Sequence, residues 1–124
     1  MHDDTRVVRS GRHPESFHGA VNPPVYHGST ILAESVESYN SRYLEAKEGE
    51  QVMVYGTMGN PTAWALENAI AGLEGGYHCS TYPSGLAAIS IALMAFLKSG
   101  DHLWMTDSPY APTRRFCDTV LRRF

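Results

Sequence analysis

The sequence predicts an α/β fold built on a mainly parallel sheet, and three observations predict it. Beyond residue 60 the chain reads as helix, strand, helix, strand and helix in turn, the alternation that gives parallel sheets with crossover helices. The segment from Ser84 to Lys98 is apolar almost all round, as in a helix buried by neighbouring layers. With 43% hydrophobic and 19% charged residues over 124 positions, the chain is apolar enough to bury a core.

Residues 1–60 read as an N-terminal arm with a short helix, and residues 61–124 as the start of the α/β domain. In the arm, Asn22-Pro23-Pro24-Val25-Tyr26 is extended, because each proline drives the residue before it out of the α region. Val36, Tyr39 and Tyr43 at i, i+3 and i+7 predict a short amphipathic helix that ends in the acidic stretch Glu45 to Glu50. Asn60 caps the next helix, Pro61 fits its first position, and Ala63, Leu66, Ile70 and Leu73 form its stripe. Gly75-Gly76 stops it.

His78 to Tyr82 reads as a short strand. Ser84 caps the apolar helix, which runs to Lys98 with Gly100 as its terminating glycine. Leu103-Trp104-Met105 is a second buried strand. After the turn Ser108-Pro109-Tyr110, Pro112 opens a last helix whose Phe116, Val120, Leu121 and Phe124 share one face. Two strands make a very small sheet, with open edges and uncovered helix faces, so the chain reads as part of a larger domain.

A net charge of −3 gives no electrostatic basis for nucleic-acid or anionic-membrane partners. The first residues lack a secretory signal, and the apolar run Leu86 to Leu97 is too short to span a bilayer, which predicts a cytoplasmic protein. Cys79 and Cys117 stand far apart and read as buried free thiols. The six histidines never take the i, i+4 spacing of a helical metal pair, so no metal site is expected.

The local feature richest in chemistry is Ser84-Gly85-Leu86-Ala87-Ala88, a small-residue turn opening an apolar helix. Free amides and the positive end of the helix dipole converge there, which suits a phosphate. Ser-Gly at a helix start is, however, more often plain capping. No nucleotide-binding P-loop or G-x-G-x-x-G pattern occurs, so a nucleotide module has only this turn to rest on.

Read in order, Asn22-Pro23-Pro24-Val25-Tyr26, Ser29-Thr30, Tyr55, Gly59-Asn60-Pro61-Thr62, Leu66-Glu67, Leu73-Glu74-Gly75-Gly76, Ser84-Gly85, Ala87-Ala88-Ile89, Gly100-Asp101 and Tyr110 resemble the cystathionine synthase/lyase family of pyridoxal-phosphate enzymes. The resemblance spans nearly the whole chain. Within the family, Tyr110-Ala111-Pro112-Thr113-Arg114-Arg115-Phe116-Cys117 is similar to the β-lyases, where γ-synthases and γ-lyases show Tyr-Gly-Gly-Thr.

The resemblance implies the N-terminal part of a fold type I, transferase-like large domain, preceded by the extended arm. It implies pyridoxal 5′-phosphate as cofactor, a small amino-acid thioether as substrate, and cleavage of cystathionine to homocysteine, pyruvate and ammonia. It also implies a homo-oligomer, the tetramer of the family. The Gly85 and Leu86 amides would hold the cofactor phosphate, and Tyr110 would stack on the pyridine and assist proton movement. Tyr55 would reach into a neighbouring subunit's site.

Thr57 departs from the pattern: the family usually places a phosphate-clamping arginine there, and a hydroxyl offers one neutral hydrogen bond in place of a bidentate charged pair. Arg42 is a conceivable substitute, although it reads more readily as a solvated helix charge. Arg114-Arg115 and Arg122-Arg123 read as the wet face of the last helix.

The cofactor also needs a lysine amine for attachment and an acid beneath the pyridine nitrogen. Only Lys47 and Lys98 are present; Lys47 lies among Glu45, Glu48 and Glu50, and Lys98 closes a helix, settings that favour the cation. The resemblance places the attaching lysine and the aspartate beyond Phe124. Two readings follow: part of a carbon–sulfur lyase (or of a γ-lyase, γ-synthase or sulfhydrylase of the same family), or a non-catalytic fragment that docks on a related subunit.

Overall fold

The computed structural model describes residues 2–124, which divide into two compact units, one up to residue 80 and one over residues 81–124. No helix among the described residues is long and apolar enough to cross a membrane.

The first unit holds three α-helices, α1 (Asp3–Arg9), α2 (Val36–Lys47) and α3 (Pro61–Glu74), and short 3-10 turns at Pro14–Phe17 and Gly56–Met58. Asn60 caps α3 as its sequence predicts: Oδ1 accepts from the Thr62 and Ala63 amides at 3.0 and 3.2 Å. Gly75 ends α3 in the left-handed region at φ 68°. Ser35 caps α2 by accepting from the Ser38 amide at 3.1 Å.

α1 is a helix that periodicity does not announce. Its acidic first turn, Asp3 and Asp4, and its basic last turn, Arg6 and Arg9, match the helix dipole. Arg6 also donates to the Gly72 carbonyl of α3 at 2.8 Å, which lays α1 on α3. A reciprocal amide pair, Gln51 with Asn68 at 3.0 and 2.9 Å, ties the loop after α2 to the same helix. Val54 is the buried residue of this unit.

The second unit holds α4 (Gly85–Phe96), α5 (Ala111–Thr119) and a 3-10 turn at Leu121–Arg123. Ser84 caps α4 through a 3.1 Å bond from the Ala87 amide. Cys117 is buried where α4 and α5 pack together.

Four expectations need correction. The strands predicted at His78 to Tyr82 and Leu103 to Met105 are not formed: among the described residues the only β pairing is an isolated antiparallel bridge between Thr30 and Tyr55. The α/β alternation is therefore visible only as its helices. A strand exists only when a neighbour completes its ladder, and these segments have none here. α4 stops at Phe96, because Leu97 is already extended at φ −103° and ψ 140°. Gly100, at φ 88°, does not follow the helix end; it serves a later turn in which Asp101 Oδ2 accepts from the Lys98 amide at 2.9 Å. α5 gives way at Val120 to the 3-10 turn instead of continuing to Phe124.

The apolar helix faces that the sequence assigns to a buried setting are open. Phe96 of α4 is 88% exposed, and Trp104, in the segment read as the second strand, is 95% exposed, levels that an aromatic side chain in a covered layer does not reach.

Candidate functional site

Two residues set the start of α4. Ser84 uses its side-chain oxygen for the Ala87 amide and its carbonyl for the Ala88 amide, at 3.1 and 3.0 Å. The Gly85 and Leu86 amides, first and second in the helix, then have no acceptor inside it. Beside Gly85 the space is open: apart from its own helix and chain neighbours, no heavy atom lies within 4 Å of where a Cβ would stand. An oxyanion could approach two N–H groups at the positive end of a 12-residue helix.

Tyr110 occupies the matching position on α5, immediately before its first residue. Its carbonyl accepts from the Thr113 and Arg114 amides at 2.9 and 3.2 Å, while its ring stands 63% exposed. The other ends of the two helices are joined. The Phe124 carbonyl accepts from Ser99 Oγ at 2.5 Å and from the Gly100 amide at 3.1 Å. Gly85 and Tyr110 thus head two helices of one unit that pack on each other and are tied beyond their C-terminal ends.

A hollow of about 460 Å³ lies at that tied end, lined by Met94, Leu97, Leu103, Met105, Cys117 and Leu121 among others. Of the site residues the resemblance implies, Gly85, Leu86, Tyr55, Thr57 and Tyr110, none lines it.

Tyr55 and Thr57 lie in the first unit. Tyr55 bridges Thr30 and precedes the Gly56–Met58 turn, whose amides at Gly56 and Met58 donate to Ser29 and Tyr55 carbonyls at 2.7 and 2.8 Å. Gly56 has to be glycine, since a Cβ would run into the Gly28 carbonyl. Thr57 is exposed. Arg42, a conceivable substitute for the arginine missing at position 57, folds back on its own helix: Nε and Nη2 donate to Ser38 Oγ at 3.3 and 3.1 Å. Lys47 Nζ sits 4.9 Å from the centre of the Tyr43 ring, a cation–π contact.

Arg114 differs from its sequence reading. Arg115, Arg122 and Arg123 are exposed, but Arg114 is half-buried and its Nη2 donates to the Asp107 carbonyl at 2.6 Å. The same nitrogen reaches the Thr106 carbonyl at 3.3 Å and Asp107 Oδ1 at 3.4 Å. An arginine one turn inside a helix, after an Asp-Ser-Pro turn, is the pattern that could have given it away. Thr113, in the same turn, buries its Oγ1 with no hydrogen-bond partner.

Among the described residues, no group of three or more His, Cys, Asp or Glu side chains is placed to hold a metal ion.

The profile of the Cys/Met metabolism PLP-dependent enzymes matches residues 4–124. A provisionally named cystathionine beta-lyase of Rhizobium johnstonii is 45% identical over 120 residues, 97% of this chain and 28% of that protein. The cystathionine beta-lyase of Haemophilus influenzae is 35% identical, over 96% of this chain and 30% of its own length. An L-alanine/L-glutamate racemase of Wolbachia pipientis is 36% identical, over 98% and 32% respectively. A cystathionine gamma-synthase also matches. The chain spans about 30% of the length of these relatives. By a match that covers nearly all of its residues, the chain belongs to the pyridoxal-phosphate-dependent enzymes of cysteine and methionine metabolism.

Proposed function

We propose that this chain is part of a carbon–sulfur lyase that cleaves cystathionine to homocysteine, pyruvate and ammonia. The Gly85 and Leu86 amides receive the cofactor phosphate, and the Tyr110 ring lies against the pyridine. The observation that carries the reading is the start of α4, where Ser84 satisfies Ala87 and Ala88, the two preceding amides have no acceptor inside the helix, and space is open beside Gly85. These residues fit the phosphate end of pyridoxal 5′-phosphate.

When bound, the cofactor supplies an electron sink for the substrate α-carbon. The chain's own part is to fix the phosphate, to orient the ring through Tyr110 and to keep water off one ring face. In the balanced reaction one water is consumed: the Cβ–S bond breaks, sulfur leaves as homocysteine, nitrogen as ammonia and the three-carbon skeleton as pyruvate. Residues 61–124 would begin the fold type I cofactor domain, while the arm of residues 1–60 would carry Tyr55 and Thr57 to a neighbouring subunit of a cytoplasmic homotetramer. The β-lyase reading rests on Tyr110-Ala111-Pro112-Thr113 and on the relatives named as cystathionine beta-lyases.

The placement of the lysines favours a second reading, in which the 124-residue chain itself does not catalyse. Lys98 follows the C-terminal end of α4, at least 12 helical residues from Gly85, or about 18 Å along the axis. Lys47 is engaged on Tyr43. Lys98 is not placed to attach a cofactor whose phosphate sits at Gly85.

The test has two arms. A full-length version carrying this segment is assayed for pyruvate from cystathionine, and absence of pyruvate removes the β-lyase assignment. The 124-residue chain is treated with pyridoxal 5′-phosphate and borohydride, then mapped by mass spectrometry. A stoichiometric adduct on Lys47 or Lys98 with turnover would overturn the second reading.

A further inference from the structure

Arg114 occupies a junction that neither the phosphate site nor the tyrosine explains. α5 begins without a side-chain cap, because Tyr110 has no oxygen placed for the first amides. The chain entering the helix is held from another direction. Arg114 gives its backbone amide to the Tyr110 carbonyl at 3.2 Å and its guanidinium to the Asp107 carbonyl at 2.6 Å. One residue thus clasps the turn Asp107-Ser108-Pro109-Tyr110 at both ends. The Tyr110 ring is mostly exposed and has little packing to fix it, so its direction depends on the backbone beneath it.

We infer that Arg114 is a positioning residue for Tyr110, clamping the Asp107–Tyr110 turn so that the ring is held in one orientation before any cofactor arrives. This rests on the proposed role of Tyr110 at the pyridine. A bond from a charged donor to two successive carbonyls is stronger than a neutral one, and it fixes both the height and the twist of the turn. All of these contacts come from the one Nη2, and a lysine stem is one bond shorter, so its ammonium reaches the same point less well and holds the turn only in part. Preorganising the ring removes an ordering cost that binding would otherwise carry.

The test uses the 124-residue chain with 3-fluorotyrosine at position 110, as wild type, Arg114→Ala and Arg114→Lys. The probe is pyridoxine 5′-phosphate, which lacks the aldehyde and cannot attach to Lys47 or Lys98. Without probe, the order parameters of the Asp107, Ser108 and Tyr110 amides fall in Arg114→Ala from about 0.85 to below about 0.6 while those at Ser84 to Ala88 stay unchanged. Arg114→Lys falls between the two. With probe, the fluorine resonance shifts in wild type, and Arg114→Ala binds about fivefold more weakly. Unchanged order parameters in both variants, or equal probe affinity in all three proteins, overturns the clamp. Should Arg114→Ala fail to fold, Arg114→Lys decides the question by the same readings. A wild-type fluorine resonance indifferent to the probe sinks the placement of Tyr110 at the pyridine, and leaves the order parameters to judge the clamp by themselves.

Discussion

Thr62 and Tyr26 are joined across 36 residues: the Tyr26 amide donates to Thr62 Oγ1 at 2.8 Å, and the same hydroxyl donates to the Pro24 carbonyl at 2.8 Å. A single hydroxyl thereby fastens the extended arm to the first turn of α3. The two prolines explain why a side chain is needed, since they cannot supply amides for a ladder and the arm must be held by other groups.

Replacing Thr62 with valine keeps its shape and removes both bonds. The expected loss is about 1 kcal/mol per hydrogen bond at most, and less where water replaces it. Hydrogen exchange at the Tyr26 amide should accelerate in Thr62→Val while the α3 amides beyond the first turn keep their protection. Unchanged exchange at Tyr26 would show that the arm is held by other means.

Gly56 and Gly28 face each other with opposite tolerances. A methyl at Gly56 meets the Gly28 carbonyl, whereas one at Gly28 meets nothing within 4 Å. Gly56→Ala should cost about 1–3 kcal/mol in denaturant unfolding and disrupt the Thr30–Tyr55 bridge, while Gly28→Ala should be nearly neutral. Equal stability of the two variants would contradict the close approach.

Removing the Asn60 side chain unseats three bonds: those from the Thr62 and Ala63 amides, and its own Nδ2 donation to the Gly56 carbonyl at 3.4 Å. Asn60→Ala should lose about 1 kcal/mol, and Asn60→Asp should keep most of the cap. Urea midpoints of the two variants distinguish them.

Glu37 lies in the first turn of α2, and its carboxyl is held below its ordinary value of 4.5, first by its own backbone amide and then by the Ser35 hydroxyl. A carboxylate with a lowered folded pKa stabilises the folded chain above its unfolded value, and that contribution disappears as pH falls below about 4.5 through the folded value. Acid titration of α2 helicity should therefore lose a component in Glu37→Gln, which lacks the titrating group. Identical acid profiles would contradict the assignment.

Helices were legible in the sequence because their signals are local. Ser35, Asn60 and Ser84 each accept the amide bond that their position before an apolar run implies, and Gly75 takes the left-handed conformation that ends α3. Strands were not, because a strand needs a partner to complete its ladder, and among the described residues Leu103-Trp104-Met105 has none, which no local residue reveals. α1 escaped because Val7 and Val8 are adjacent and give no stripe; its end charges and the Arg6 bond to Gly72 hold it. Arg114 was misread for a related reason. Its shortest bond goes to a backbone carbonyl, which looks the same in every sequence, and only the Asp107 carboxylate at 3.4 Å leaves a mark in the residue types.

At the proposed phosphate site the cap was legible: Ser84 accepts from the Ala87 amide as its position implies, while the role of Gly85 and Leu86 came from the family resemblance. What Gly85 and Leu86 receive is best measured directly, by following their amide resonances while the chain is titrated in parallel with pyridoxine 5′-phosphate and with pyridoxine. The account predicts saturable shifts at those two amides with the phosphate ester and none with the free alcohol. Shifts absent at Gly85 and Leu86, or the same with both compounds, would contradict it.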